Sequence, residues 1–186
     1  VGHYNLGVLY LSLNQTDDAI ASLGKAINLH PEYAAAWHSL GKARLTSRNH
    51  DAAIEALQKS LQYDPTVPQT HQSMSDALHQ AGQTKTANEA LRTAVELQLQ
   101  NSTGGPAAFK AAQMADLLLQ RSQRQDPLAL ELAARCYVAA DRVEEALQTA
   151  VAGARLAGQQ GNTELKESLD RLAEECHTPS TRVAVP

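Results

Sequence analysis

Apolar residues recur at every third or fourth position along almost all of the chain, and short turns of Gly, Pro and Asn interrupt them. An apolar period near 3.6 marks helices that bury one face, and such breaks mark where they stop. The pattern predicts an all-α protein of about ten helices with no sheet. A first helix ends near Leu13 and a second covers about Thr16–Leu29, with Thr16 and Asp17 placed to cap it. Helices follow over about Tyr33–Ser47 and Asn49–Tyr63, then a pair within 66–100 that turns at Ala81-Gly82. The run from Asn101 through Gly104, Gly105 and Pro106 reads as a loop, and one helix without a preceding partner is expected over about Pro106–Gln123. Another pair fills 127–160, turning at Asp141-Arg142, where Val143-Glu-Glu-Ala146 places acidic residues at the positive end of a helix. In 162–177, Leu165, Leu169, Leu172 and Ala173 form one stripe opposite a charged face. That is the pattern of a helix covering the exposed end of a stack. The tail 178–186 has no helical period and is expected to be disordered.

The helices come in pairs with a fixed spacing. Pro31 and Pro65 lie 34 residues apart, and the segments they close match almost position for position. The first reads His3-Tyr-Asn-Leu-Gly-Val-Leu-Tyr10, then Ala19, Leu23, Ala26 and Pro31; the second reads Trp37-His-Ser-Leu-Gly-Lys-Ala-Arg44, then Ala53, Leu57, Ser60 and Pro65. A weaker copy places His71, Met74 and Ser75 at the Trp, Leu and Gly positions, followed by Ala87, Leu91 and Ala94, with Leu99 in place of the closing Pro. A further copy has Ala133-Ala134, Tyr137, Ala146, Ala150 and Gly153. A Gly inside a helix costs about 1 kcal/mol relative to Ala, so Gly7 and Gly41 point to a neighbouring helix that must come close. Trp37 is expected to be largely buried at that contact.

This arrangement resembles the tetratricopeptide repeat (TPR), a helix–turn–helix unit of 34 residues that stacks on its own kind. The resemblance implies an all-α, right-handed TPR α-solenoid (superhelix) with a C-terminal capping helix. Its repeats would run over about 1–32, 33–65, 66–100 and 127–160, with an irregular linker and single helix at 101–126 and the cap at 162–177; the solenoid would thus span 1–177. The C-terminal part is also similar to the end of larger bacterial TPR proteins. The chain opens at Val1 directly inside a helix, so a preceding portion is expected, and the compartment, cytoplasmic or periplasmic, stays open.

Composition narrows the function. Aromatic residues make up 4% of the chain and the formal net charge is −4 with both signs interspersed. No basic footprint for nucleic acid and no stretch fit to enter a membrane is visible. Cys136 and Cys176 belong to no Cys-x-x-Cys pair and read as two small buried thiols, with a disulfide or a metal site as the lesser alternatives. Seven histidines invite a catalytic or metal reading. None stands four residues from another, however, and His3 and His71 fall at packing positions. Phosphate loops and nucleophile elbows are missing from the sequence. No catalytic residue, metal or cofactor is therefore expected, and the chain is not read as an enzyme.

What the resemblance implies instead is a concave face lined by the first helix of each pair. The residues that would project into it are Tyr4, Val8 and Leu11; His38, Lys42 and Leu45; Gln69, Gln72, Asp76 and His79; and Leu128, Glu131, Arg135 and Val138. Exposed Tyr, Val and Leu in one strip mark an interaction site. The function expected is a non-catalytic protein–protein interaction module that takes a peptide or helix of unknown identity in this groove. The alternative is a structural or self-association segment of a larger protein, acting through the first repeat. Two known subclasses do not fit. The clamp for chaperone C-terminal carboxylates would need Lys and Asn where Tyr4/Val8, His38/Lys42, Gln72/Asp76, Ser39 and Ser73 stand. The asparagine ladder of sugar-transferase repeats is met by Asn5 but not by Ser39, Ser73 or Leu132.

Overall fold

The computed structural model describes residues 1–102 and 104–177, so the expected disorder of 178–186 lies outside the described residues. Among the described residues the chain is ten α-helices and no strand. They are α1 (Gly2–Ser12), α2 (Thr16–Leu29), α3 (Ala34–Thr46), α4 (His50–Tyr63), α5 (Pro68–Gln80), α6 (Thr84–Gln100), α7 (Gly105–Arg121), α8 (Pro127–Ala139), α9 (Val143–Gln159) and α10 (Thr163–His177). Their contacts group them into two compact units, Val1–Ala94 and a second that begins at Val95.

In the first unit α1 packs on α2, α2 on α3, α3 on α4 and α4 on α5, while the first helices also touch one another, α1 with α3 and α3 with α5. The glycines inside α1 and α3 set the spacing within each hairpin. A Cβ on Gly7 would lie 2.6 Å from Leu23 Cγ, and one on Gly41 would lie 2.6 Å from Leu57 Cγ. Both leucines are fully buried. At the equivalent place in the third repeat Ser75 is buried, and its hydroxyl donates to the carbonyl of Ala87 at 2.7 Å. The hydroxyl is thereby satisfied where an apolar neighbour would leave it unpaired. The turns repeat as well. Asn14, Arg48 and Gly82, one per hairpin, all have φ between 58° and 79°. Asn and Gly accept this left-handed geometry readily, whereas Arg48 holds it against its own side chain.

Trp37 departs from expectation: it is half-buried rather than largely buried. Its indole Nε1 donates to the carbonyl of Pro31 at 2.7 Å, which draws the ring's polar edge to the repeat junction. His71 reproduces this bond one repeat on, with Nε2 2.8 Å from the carbonyl of Pro65. A histidine therefore serves at the Trp position because what is kept there is a ring N–H facing a carbonyl.

The second unit contains α7 to α10, packed α7 on α8, α8 on α9 and α9 on α10. Its core is built of alanines between leucines: Ala111, Ala115, Leu118 and Leu119 of α7, Leu130 and Ala133 of α8, Ala150 of α9 and Leu169 of α10. Gly153 leaves room for two of them, since its absent Cβ would meet Leu169 Cδ1 at 3.0 Å and Leu130 Cβ at 3.1 Å. Here the hairpin contact that used Gly and Leu in α1–α2 is made by Ala134 and Ala150, both fully buried. Among the described residues between 100 and 127 there is one helix, α7. With Leu99 where the earlier repeats have Pro, α6 runs on to Gln100 and reaches 17 residues against 14 in α2 and α4.

Candidate binding surface

The first helices of the first unit carry ten of the residues singled out from the sequence, and none is buried. Val8, Lys42, Gln69 and His79 are exposed, while Tyr4, Leu11, His38, Leu45, Gln72 and Asp76 are half-buried. The difference has a local cause where the contacts are seen. Tyr4 leans on Tyr33, ring centroids 4.9 Å apart at 56°, and packs with Leu11 against the core of the first two repeats. Leu45 packs against the next cluster, around Leu57, Met74 and Ala77. His38 is turned toward α5: its Nδ1 is hydrogen-bonded to Thr70 Oγ1 at 3.0 Å. Burial, with a smaller push from the Lys42 ammonium, holds its pKa down at about 4. The ring is therefore neutral at physiological pH and fastens α3 to α5. The contacts of α1 with α3 and of α3 with α5 bring these ten positions onto neighbouring helices.

In the second unit α8 carries Leu128, Arg135 and Val138 exposed and Glu131 half-buried. Glu131 accepts a hydrogen bond from Ser168 Oγ of α10 at 3.1 Å. Together with Arg135, Arg171, Leu172 and Glu175 they line a cleft of about 420 Å³. The contribution of α10 was missed in the sequence. Helix α9 has 17 residues where α2 and α4 have 14, so α10 repeats α8 at a spacing of 37, as in the Glu131–Ser168 pair. A search in register with 34 passes it by. α10 packs on α8 as α3 packs on α1, so the helix read as a cap stands in the place of a further first helix.

A charged cluster ties α7 to this hairpin. The Tyr137 hydroxyl donates to Asp116 Oδ1. The Arg142 guanidinium lies 4.4 Å over the Tyr137 ring and pairs with Asp116 at 3.2 Å and Glu145 at 2.6 Å. Burial first, then the bond to Asp116, raises the Tyr137 pKa, so the phenol stays protonated and continues to donate. These groups satisfy one another across the junction of α7, α8 and α9. Among the described residues no three His, Cys, Asp or Glu side chains gather as a metal site would require, and no helix is long and apolar enough to cross a membrane.

Residues 4–68 match the family model of the Tetratricopeptide repeat. That stretch carries tetratricopeptide repeats, and the helical-repeat fold extends beyond it. Solved structures share this fold at low sequence identity. PcrH, in complex with the chaperone binding region of PopD, superposes with a TM-score of 0.61 at 21% identity, covering 67% of this chain and 92% of that one. The TPR2B domain of yeast Sti1, in its pHsp70 complex, gives 0.58 at 18% identity over 67% of this chain and 96% of that one. MamA gives 0.52 at 18% identity, over 92% of this chain and 94% of its own.

Proposed function

We propose that the protein is a non-catalytic interaction module that binds a peptide or amphipathic helix of a partner along α1, α3 and α5. The observation carrying this reading is that ten residues at equivalent places on three adjacent helices all keep part of their surface in solvent. On the other faces of the same helices, residues such as Leu40, Ala43 and Ala77 are buried. The relatives support it by analogy, since PcrH holds a segment of PopD and the Sti1 domain is seen in complex with pHsp70. Val8, Tyr4 and Leu11 offer apolar area, and Lys42 with Asp76 offers both signs of charge. A partner of mixed character fits such a strip better than a strongly charged one. An open surface of this kind suits micromolar affinity, about −8 kcal/mol.

Peptides selected from a random displayed library against the intact chain supply the probe. Val8 and Lys42 are the side chains to change, because Tyr4, Leu11 and Leu45 also support the cores. Val8→Asp with Lys42→Glu is expected to leave thermal melting unchanged and to weaken the selected peptides by about tenfold or more, which is about 1.4 kcal/mol. Peptides that bind both forms equally would place recognition on another surface.

A further inference from the structure

The strip along α1, α3 and α5 changes character from helix to helix. On α1 it is apolar: Tyr4, Val8 and Leu11 form it, Val8 is 40% exposed, and no Asp, Glu, Lys or Arg occurs between Val1 and Thr16. On α3 it is mixed, with half-buried Leu45, the neutral ring of His38 and the exposed side chain of Lys42. On α5 every member is polar: Gln69, Gln72, Asp76 and His79. Lys42 has no ion pair among the described residues, whereas Asp76 already interacts within the protein.

An amphipathic helix is a poor match for this gradient. A helix repeats one apolar stripe along its length, so it would set on α5 the same apolar side chains that suit α1. Those side chains would cover polar groups on α5 and strip them of water without giving them a partner. The glutamines also favour a different backbone. Gln69 and Gln72 stand three residues apart on one side of α5, and neither amide is bonded to another described residue. Each amide offers donors and an acceptor together, the pair that a peptide unit needs. An extended segment has such units open, while a helix has used its own internally. Packed neighbouring helices lie about 10 Å apart, so the way from α1 to α5 is about 20 Å. About six extended residues cover that distance.

We infer that the strip takes an extended segment graded along its length: apolar side chains over α1, an acidic one beside Lys42 on α3, and open backbone with polar side chains over α5. This rests on the function proposed for the strip and adds the chemistry of its ligand. The probe is the set of random displayed peptides selected against the intact chain. Their sequences are expected to share apolar residues grouped on one side of an acidic residue and polar residues on the other. A synthetic peptide in that order is expected to bind at least about tenfold tighter than one of the same composition with apolar and polar residues alternating. Repeating the selection against Lys42→Glu is expected to replace the acidic residue by Lys or Arg and to leave the apolar group in place. Two results would overturn the inference while leaving the strip as the binding site. One is a set of peptides that need Val8 and Lys42 but carry their apolar residues at helical spacing, three or four apart. The other is an acidic residue still preferred by Lys42→Glu. A library without binders, or peptides that bind the Val8→Asp, Lys42→Glu double variant as well as wild type, would remove both the inference and the function it rests on.

Discussion

At the scale of single residues, the protein makes one helix contact in three chemically different ways. Gly7 and Gly41 yield to Leu23 and Leu57, Ser75 is anchored on the Ala87 carbonyl, and Ala134 meets Ala150. The contact is therefore adjusted pair by pair rather than by one residue type. Gly41→Ala drives a Cβ to within 2.6 Å of Leu57 Cγ and is expected to destabilise by roughly 1–3 kcal/mol in urea unfolding, the range for overpacking. Once Leu57 has been replaced by Ala, adding Gly41→Ala should cost little, because it recreates the Ala134–Ala150 pairing. The coupling energy of the double-mutant cycle is expected to be at least about 1 kcal/mol. Additive effects would mean that Leu57 relaxes away from the new methyl group. The glycines announced this contact in the sequence because a Gly in mid-helix weakens the helix unless a neighbour needs the space. Ser75 and Ala134 did not, since each is an ordinary helix residue until its partner is known.

Between elements, His38 shows where reading by register stops. Repeat spacing put it on the open side of α3, and its backbone does belong to that row, but its ring is hydrogen-bonded to Thr70 of α5. The pairing of two side chains 32 residues apart depends on rotamers, which no periodic pattern encodes. The lengths and turns of the helices were legible because Pro and left-handed Asn14 are local signals, whereas the cap expected from Thr16 and Asp17 is not formed: Gln15 is the N-cap of α2 and no side chain bonds its first turn. The half-burial of Trp37 and the role of α10 beside α8 were not legible, one depending on a bond to Pro31 and the other on three extra residues in α9. The His38 contact has a pH signature. Its imidazole titrates at about 4 in the folded chain against 6.5 when free, so between those values the unfolded chain binds the proton and the folded chain does not. Stability from the neutral ring is complete above pH 6.5, drains as pH falls toward 4 and changes no further below. Allowing for solvent screening of a half-buried group, wild type should lose on the order of 2 kcal/mol more than His38→Gln between about pH 7.5 and pH 4. Parallel stability–pH curves for the two proteins would show that the ring is not held neutral.

At the scale of the whole molecule, a chain with few aromatic residues builds its cores from alanine and leucine, so its helices lie close and its interior has little room for rearrangement. The two units each bury their own set of such residues. Within the second, Cys136 is fully enclosed at the α7–α8 contact, and burial pushes its thiol up to about 12, outweighing the smaller opposing pull of Arg135. Cys176, near the end of α10, is only half-buried. The molecule therefore carries two chemical clocks that run at different speeds. A maleimide should label Cys176 promptly, while Cys136 reacts only in the brief intervals when α7 and α8 part. Its labelling should be slower by about a thousandfold or more, on the order of the opening equilibrium of a stable core. Mass spectrometry of the labelled chain over time would separate the two, and equal rates would mean that the enclosure of Cys136 is not kept in solution. Any partner or second copy that steadies this unit would then be read as a further slowing of the Cys136 clock, with no residue changed.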